Sequence, residues 1–135
     1  MQPQVTFRSD RFNTSQPREY FINPDCFGDD VAAWLIGELR SRGIDVDAEA
    51  GQEDFGWYVR YRVNGIPHCF VLALIPPDGV GRACWAGWFE RDAGPLATLL
   101  GGRKRGITTD AVRIVRDTLE SSPIIRDVEW MAGYA

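Results

Sequence analysis

The chain has one lysine, Lys104, one histidine, His68, and two methionines, and its three cysteines form no close pair. Nor does any apolar run approach the ~20 residues that a membrane-spanning helix needs, so a membrane is not expected as a partner. Cys26, Cys69 and Cys84 are odd in number, and none has a second cysteine at the spacing of a zinc knuckle or redox motif. They read as reduced core or near-core residues. Positive charge is also scarce. Fifteen Lys and Arg stand against 19 Asp and Glu, a formal net charge of -4 with a pI of about 4.9. A domain that binds nucleic acid usually carries a basic face, so nucleic acid is not an expected partner. The first residues have neither a basic region nor an apolar stretch, and a cytoplasmic location is the expectation. No cofactor motif is present, and no cofactor is expected.

What is present suits one globular core. The 135 residues are 44% hydrophobic and 25% charged, and a chain of this length buries roughly two-thirds of its unfolded surface. Residues 1–28 hold scattered apolar positions interrupted by Pro3, Pro17 and Pro24, and read as an N-terminal arm on a domain spanning 29–135. Within the arm, 18–22 is the better strand candidate, while Phe7 and Phe12 are placed to tuck onto the core. Asp29 and Asp30 open a helix over 29–42, with Val31, Trp34, Leu35 and Leu39 at helical spacing and Gly43 as its left-handed cap. In 44–49, Ile44, Val46 and Ala48 alternate with three carboxylates, the pattern of a half-buried edge strand, and 51–53 reads as the turn leaving it.

The clearest pattern follows. Phe55, Trp57, Val59, Tyr61 and Val63 alternate with Gly56, Tyr58, Arg60 and Arg62, and Asn64-Gly65 is the favoured pair for a two-residue type I′ hairpin. That turn sets the register. Val63 should oppose Ile66, Tyr61 His68, Val59 Phe70, Trp57 Leu72 and Phe55 Leu74. On the reverse face Arg62 should oppose Pro67, Arg60 Cys69 and Tyr58 Val71. Residues 76–79 form a further turn, and 82–91 a third strand in which Trp85 and Trp88, three apart, point to opposite faces unless Gly87 sits in a bulge. Residues 95–100 suit a short helical turn, and Thr108 or Thr109 caps a second helix with Val112, Val115 and Leu119 as its stripe, stopped by Pro123. A strand over 125–130 closes the chain. Together these elements predict an α+β fold: an antiparallel sheet of about four to six strands with two main helices on one face.

Several groups carry chemistry. His68, beside Tyr61, is the candidate general acid/base, against the plainer reading of a core-edge histidine bonded to Tyr61 or to backbone. Asp45, Asp47 and Glu49 share a strand face and could offer oxygen to a hard cation, but they match no metal signature and read more simply as a solvated edge. Arg103, Lys104 and Arg105 lie in a glycine-flanked loop before a helix, a place where anions bind, although no Gly-Lys-Ser/Thr completes a phosphate loop. Trp85, Trp88 and Trp130 cannot all be assigned inward, so an aromatic patch is expected beside Tyr58, Arg60 and Arg62 on the helix-free sheet face, the composition of an interface hot spot.

The segment Glu53-Asp54-Phe55-Gly56-Trp57, a hairpin, a Trp-containing strand, Leu99-Leu100-Gly101-Gly102-Arg103 and the closing Arg126-Asp127-Val128-Glu129-Trp130 resemble small bacterial proteins of unassigned function. The resemblance spans about 29–130 and implies no catalytic residue. The leading expectation is a non-catalytic bacterial interaction domain that binds a protein partner or itself through the helix-free sheet face or a sheet edge, for which a basic partner suits an acidic chain. An immunity-like or accessory role would fit. The alternative is a small-molecule binder or small enzyme with a cleft around His68 and Tyr61 beside Glu53 and Asp54.

Overall fold

In the computed structural model, residues 3–75, 83–91 and 106–131 are described. They form an α+β fold in which an antiparallel sheet carries two helices on one face. The strands are β1 (Gln4–Arg8), β2 (Asp45–Val46), β3 (Gly51–Glu53), β4 (Gly56–Val63), β5 (Ile66–Ile75), β6 (Cys84–Arg91) and β7 (Arg126–Met131). The helices are α1 (Asp29–Ser41) and α2 (Thr109–Ser121). The sheet runs β2-β4-β5-β6-β1-β7, and β3 also pairs with β4, along the same edge as β2.

The β4–β5 hairpin has the expected register from Val63↔Ile66 to Trp57↔Leu72. Asn64 and Gly65 both take positive φ, 53° and 79°, as the two-residue turn requires. The register between β5 and β6 is uninterrupted, from His68↔Arg91 to Ile75↔Cys84, so Gly87 is not in a bulge. Its lack of a side chain serves packing instead, because a Cβ there would fall 2.2 Å from the Phe70 ring.

An uninterrupted β6 sends its tryptophans to opposite sides. Trp85 points under the helices, 1% exposed and edge-on to Phe12, whereas Trp88 is in register with Val71 on the helix-free face. Trp85 is therefore removed from the set of open-face residues. Trp130 lies on the covered side, stacked on Phe89 with the Arg116 guanidinium of α2 4.9 Å above its ring.

Three other expectations change. The N-terminal strand is β1, not 18–22, and it lies between β6 and β7, with Val5 and Phe7 in the core. Residues 18–22 turn instead, with Phe21 N–H donating to the Arg18 carbonyl, and the Gln52 carboxamide accepts from Ile22 N–H and donates to the Tyr20 carbonyl. The edge strand expected over 44–49 shrinks to β2, and 51–53, expected as a turn, is β3. The pairing with β4 slips by two residues between them, from Val46↔Tyr61 to Gly51↔Tyr58. Finally, Phe55 does not oppose Leu74 under the helices. Glu53 pairs with Gly56, which puts Asp54 and Phe55 at the tip of a two-residue turn, and Phe55 is 45% exposed.

The helices form where the apolar spacing placed them. Val31, Leu35 and Leu39 of α1 and Val115 and Leu119 of α2 are buried, at about 1.5–3 kcal/mol for each large apolar side chain taken from water. Gly43, at φ 79°, follows α1 as expected. The Thr108 side chain caps α2, accepting from Ala111 N–H at 3.3 Å. Asp30 accepts from Val31 N–H at the start of α1 and from Asn13 N–H, while Asp29 accepts from the Tyr20 hydroxyl, so this acidic pair also ties the preceding loop to the helix. The turn expected at 76–79, the helical turn at 95–100 and Arg103, Lys104 and Arg105 lie outside the described residues.

Candidate functional site

The helix-free face is built by strand alternation, which puts every second residue of β4, β5 and β6 on the side away from α1 and α2. Register turns these into two rows. Tyr58, Val71 and Trp88 form one across the three strands, and Arg60, Cys69 and Glu90 form the next. Trp88 links them, its indole N–H donating to the Glu90 carboxylate at 3.1 Å. From the β3–β4 turn, Phe55 stacks on Trp88 with ring centroids 5.5 Å apart and planes 29° from parallel. Tyr58 leans across Gly51, where a Cβ would fall 2.0 Å from the phenol ring, so the glycine lets the ring lie along the sheet.

These side chains enclose a depression of about 190 Å³ lined by Glu53, Phe55, Tyr58, Arg60, Cys69, Val71 and Glu90. Pockets for metabolite-sized ligands usually run from about 300 to 1,000 Å³, so this one matches a single inserted side chain better. Its chemistry is aromatic and acidic together. The Phe55 ring and the Tyr58 phenol adjoin the carboxylates of Glu53 and Glu90, with Arg60 also in the lining.

Arg62 lies one row nearer the hairpin turn and contributes differently. Its guanidinium contacts Asp45 at 3.2 Å and Asp47 at 2.5 Å, and the hydrogen bond to Asp47 is the main reason its pKa is raised. Two of the edge carboxylates considered as cation ligands are thus engaged by Arg62. Among the described residues, no group of three or more His, Cys, Asp and Glu side chains is placed to hold a metal.

The other sequence candidates, His68 and Tyr61, are neighbours with ring centroids 6.1 Å apart, but both are 0% exposed. Tyr61 donates its hydroxyl to the Ala111 carbonyl at 2.7 Å, and burial pushes its pKa up. His68 has both ring nitrogens engaged, Nδ1 3.1 Å from the Ile66 carbonyl and Nε2 accepting from Thr108 N–H at 3.2 Å. Burial is the main cause of its lowered pKa, the nearby Arg91 adding to the effect and the Ile66 bond opposing it. A buried base with an occupied lone pair is poorly placed to take a substrate proton.

Sequence reasoning missed Phe55 as a member of the open face. Phe55 fits the alternation of the strand that follows it, and Gly56, where a Cβ would fall 2.1 Å from the Leu72 carbonyl oxygen, marks the close approach to β5 rather than the turn.

Three comparisons, with protein-family models, curated proteins and solved structures, found no match to this chain. The site must therefore be read from its own geometry.

Proposed function

We propose that this protein is an interaction domain that binds a protein partner through its helix-free sheet face, the partner seating one basic side chain in the depression beside Phe55, Tyr58 and Trp88. The observation that carries the reading is the Phe55–Trp88 stack, which leaves Phe55 45% exposed on a face that no described helix covers. Aromatic residues with an arginine at their side are the composition in which binding energy concentrates at interfaces.

The preference for a basic side chain rests on two features of the same depression. Ring faces attract cations and not anions, by about 0.5–2 kcal/mol according to how far the cation is desolvated. The Glu53 carboxylate lies in the lining beside the rings, and the whole chain carries a formal charge of -4. Both favour encounter with a positive surface. Catalysis at His68 and Tyr61 is the weaker reading, because it needs both groups to reach a substrate.

Titration of the protein with a short Arg/Lys peptide, and separately with a Glu peptide of the same length, tests this by nuclear magnetic resonance. The expected result is shifts confined to the Trp88 indole and to amides of residues 53–60 and 88–90, seen with the basic peptide and lost in Trp88→Ala. Equal shifts with the acidic peptide would overturn the basic-partner reading, and so would no shift with either. Spectra that change with protein concentration alone would replace the foreign partner with a second copy of the chain.

A further inference from the structure

The covered side of the sheet holds a group whose chemistry the open-face reading does not use. His68 is the chain's only histidine, it is fully buried, and its hydrogen bonds define its protonation state. The Thr108 backbone N–H can only donate, so Nε2, 3.2 Å away, must present its lone pair. Nδ1 then carries the proton and donates to the Ile66 carbonyl at 3.1 Å. Thr108 is also the N-cap of α2, its hydroxyl accepting from Ala111 N–H. One neutral imidazole thus joins β5 to the first turn of α2. Only the neutral form can do this.

We propose that His68 is an acid-labile latch, holding the N-terminus of α2 on the sheet while the ring is neutral and releasing it when the ring is protonated. The groups facing the ring make the two states unequal. From β4 comes the Tyr61 phenol, neutral and already donating to Ala111. From β6 comes Arg91, the cross-strand partner of His68, whose guanidinium donates to the Gly106 carbonyl at 3.0 Å. From α2 come Thr108 and the positive end of the helix dipole. Asp110, in the first turn of α2, is engaged with Arg113 at the surface, and among the described residues none of the groups acting on the ring is a carboxylate.

Protonation therefore has three consequences of one sign. It turns Nε2 into a donor facing the Thr108 N–H, with only the Thr108 hydroxyl, 3.5 Å away and already accepting from Ala111 N–H, left to receive it, places a second cation near Arg91, and sets a positive charge at the positive end of α2. Release is local, because Val115 and Leu119 remain buried further along the helix. The latch stands apart from the open-face proposal, since His68 lies on the opposite side of the sheet.

The test uses the full chain. Imidazole nitrogen shifts near pH ~7 should show the neutral Nδ1-protonated tautomer, the ring gaining its proton only below the ordinary histidine range of about 6.5. Hydrogen-exchange protection at the Thr108 and Ala111 amides, corrected for intrinsic rates, should fall about tenfold between pH ~7 and pH ~5, while amides near Leu119 keep theirs. His68→Gln, whose carboxamide can accept from Thr108 without titrating, should remove that pH dependence. An Nε2-protonated tautomer near neutrality would overturn the proposal, as would protection indifferent to pH or the same dependence in His68→Gln. If that variant does not fold, the tautomer and exchange measurements on the unaltered protein still decide.

Discussion

The two faces of β4, β5 and β6 draw on the same residue types and differ in what lies against them. On the covered face Tyr61, His68 and Trp85 are fully buried, and the polar atoms of Tyr61 and His68 are engaged at fixed distances. On the open face Tyr58, Arg60 and Trp88 stand at least partly in water, with Phe55 stacked on Trp88. The lesson is that an aromatic or titratable residue cannot be assigned to function by type. The same tyrosine and tryptophan types are scaffold where a helix lies over them and candidate contacts where no described helix does.

The two tryptophans of β6 give the sharpest way to break this comparison. Trp85→Ala should cost about 3–5 kcal/mol of stability, the usual loss for a large buried aromatic. Trp88→Ala should cost about 0.5–1.5 kcal/mol, the scale of one aromatic pair. Urea unfolding of both variants checks this, and equal losses would mean that Trp88 is as structural as Trp85.

The tyrosines of β4 offer a gentler version. Tyr61→Phe removes the hydroxyl that donates to Ala111 and should cost about 1 kcal/mol, whereas Tyr58→Phe should stay within about 0.5 kcal/mol. Parity between these two in the same unfolding assay would contradict the placement of the Tyr61 hydroxyl.

Acid should act on the covered face alone. Because the folded pKa of His68 is lowered, the unfolded chain takes up its proton first, at about 6.5, so the contribution of the neutral ring is full above that pH. It is lost as pH falls from about 6.5 through the lower folded value. Comparing thermal midpoints of the unaltered protein and His68→Gln across this window should show the extra acid sensitivity in the unaltered protein only, and parallel curves would remove His68 as its source.

The smallest change is expected at the exposed edge. Arg62→Gln breaks the contacts to Asp45 and Asp47, and its effect should fade as salt is added, as screening requires. A loss unchanged by high salt would mean that Arg62 packs more than it pairs.

Much of the fold was legible because its signals are local. Asn64-Gly65 dictates a two-residue turn, and strand alternation then carries the register the length of the hairpin. The apolar spacing of Val112, Val115 and Leu119 and the capping threonine announced α2 in the same way. The position of β1 was not legible. Its pairing joins Gln4 to Trp88 on one side and to Met131 on the other, and contacts that far apart along the chain leave no local pattern. The candidate site was half legible: Tyr58, Arg60 and Arg62 follow from alternation, but Trp88 is set on the open face only by the β5–β6 register, and Phe55 joins them only because the β3–β4 turn lifts it out of the strand.

The sequence by itself determined the two helices, the hairpin register and the division of β4 and β5 residues between two faces, since apolar spacing, turn geometry and side-chain alternation need only neighbouring residues. Tertiary structure alone decided which tryptophan of β6 is buried, which rings meet over the open face, and that His68 accepts from the cap of α2. Those outcomes depend on residues as far apart in sequence as His68 and Thr108, whose meeting is set by how the helices settle on the sheet.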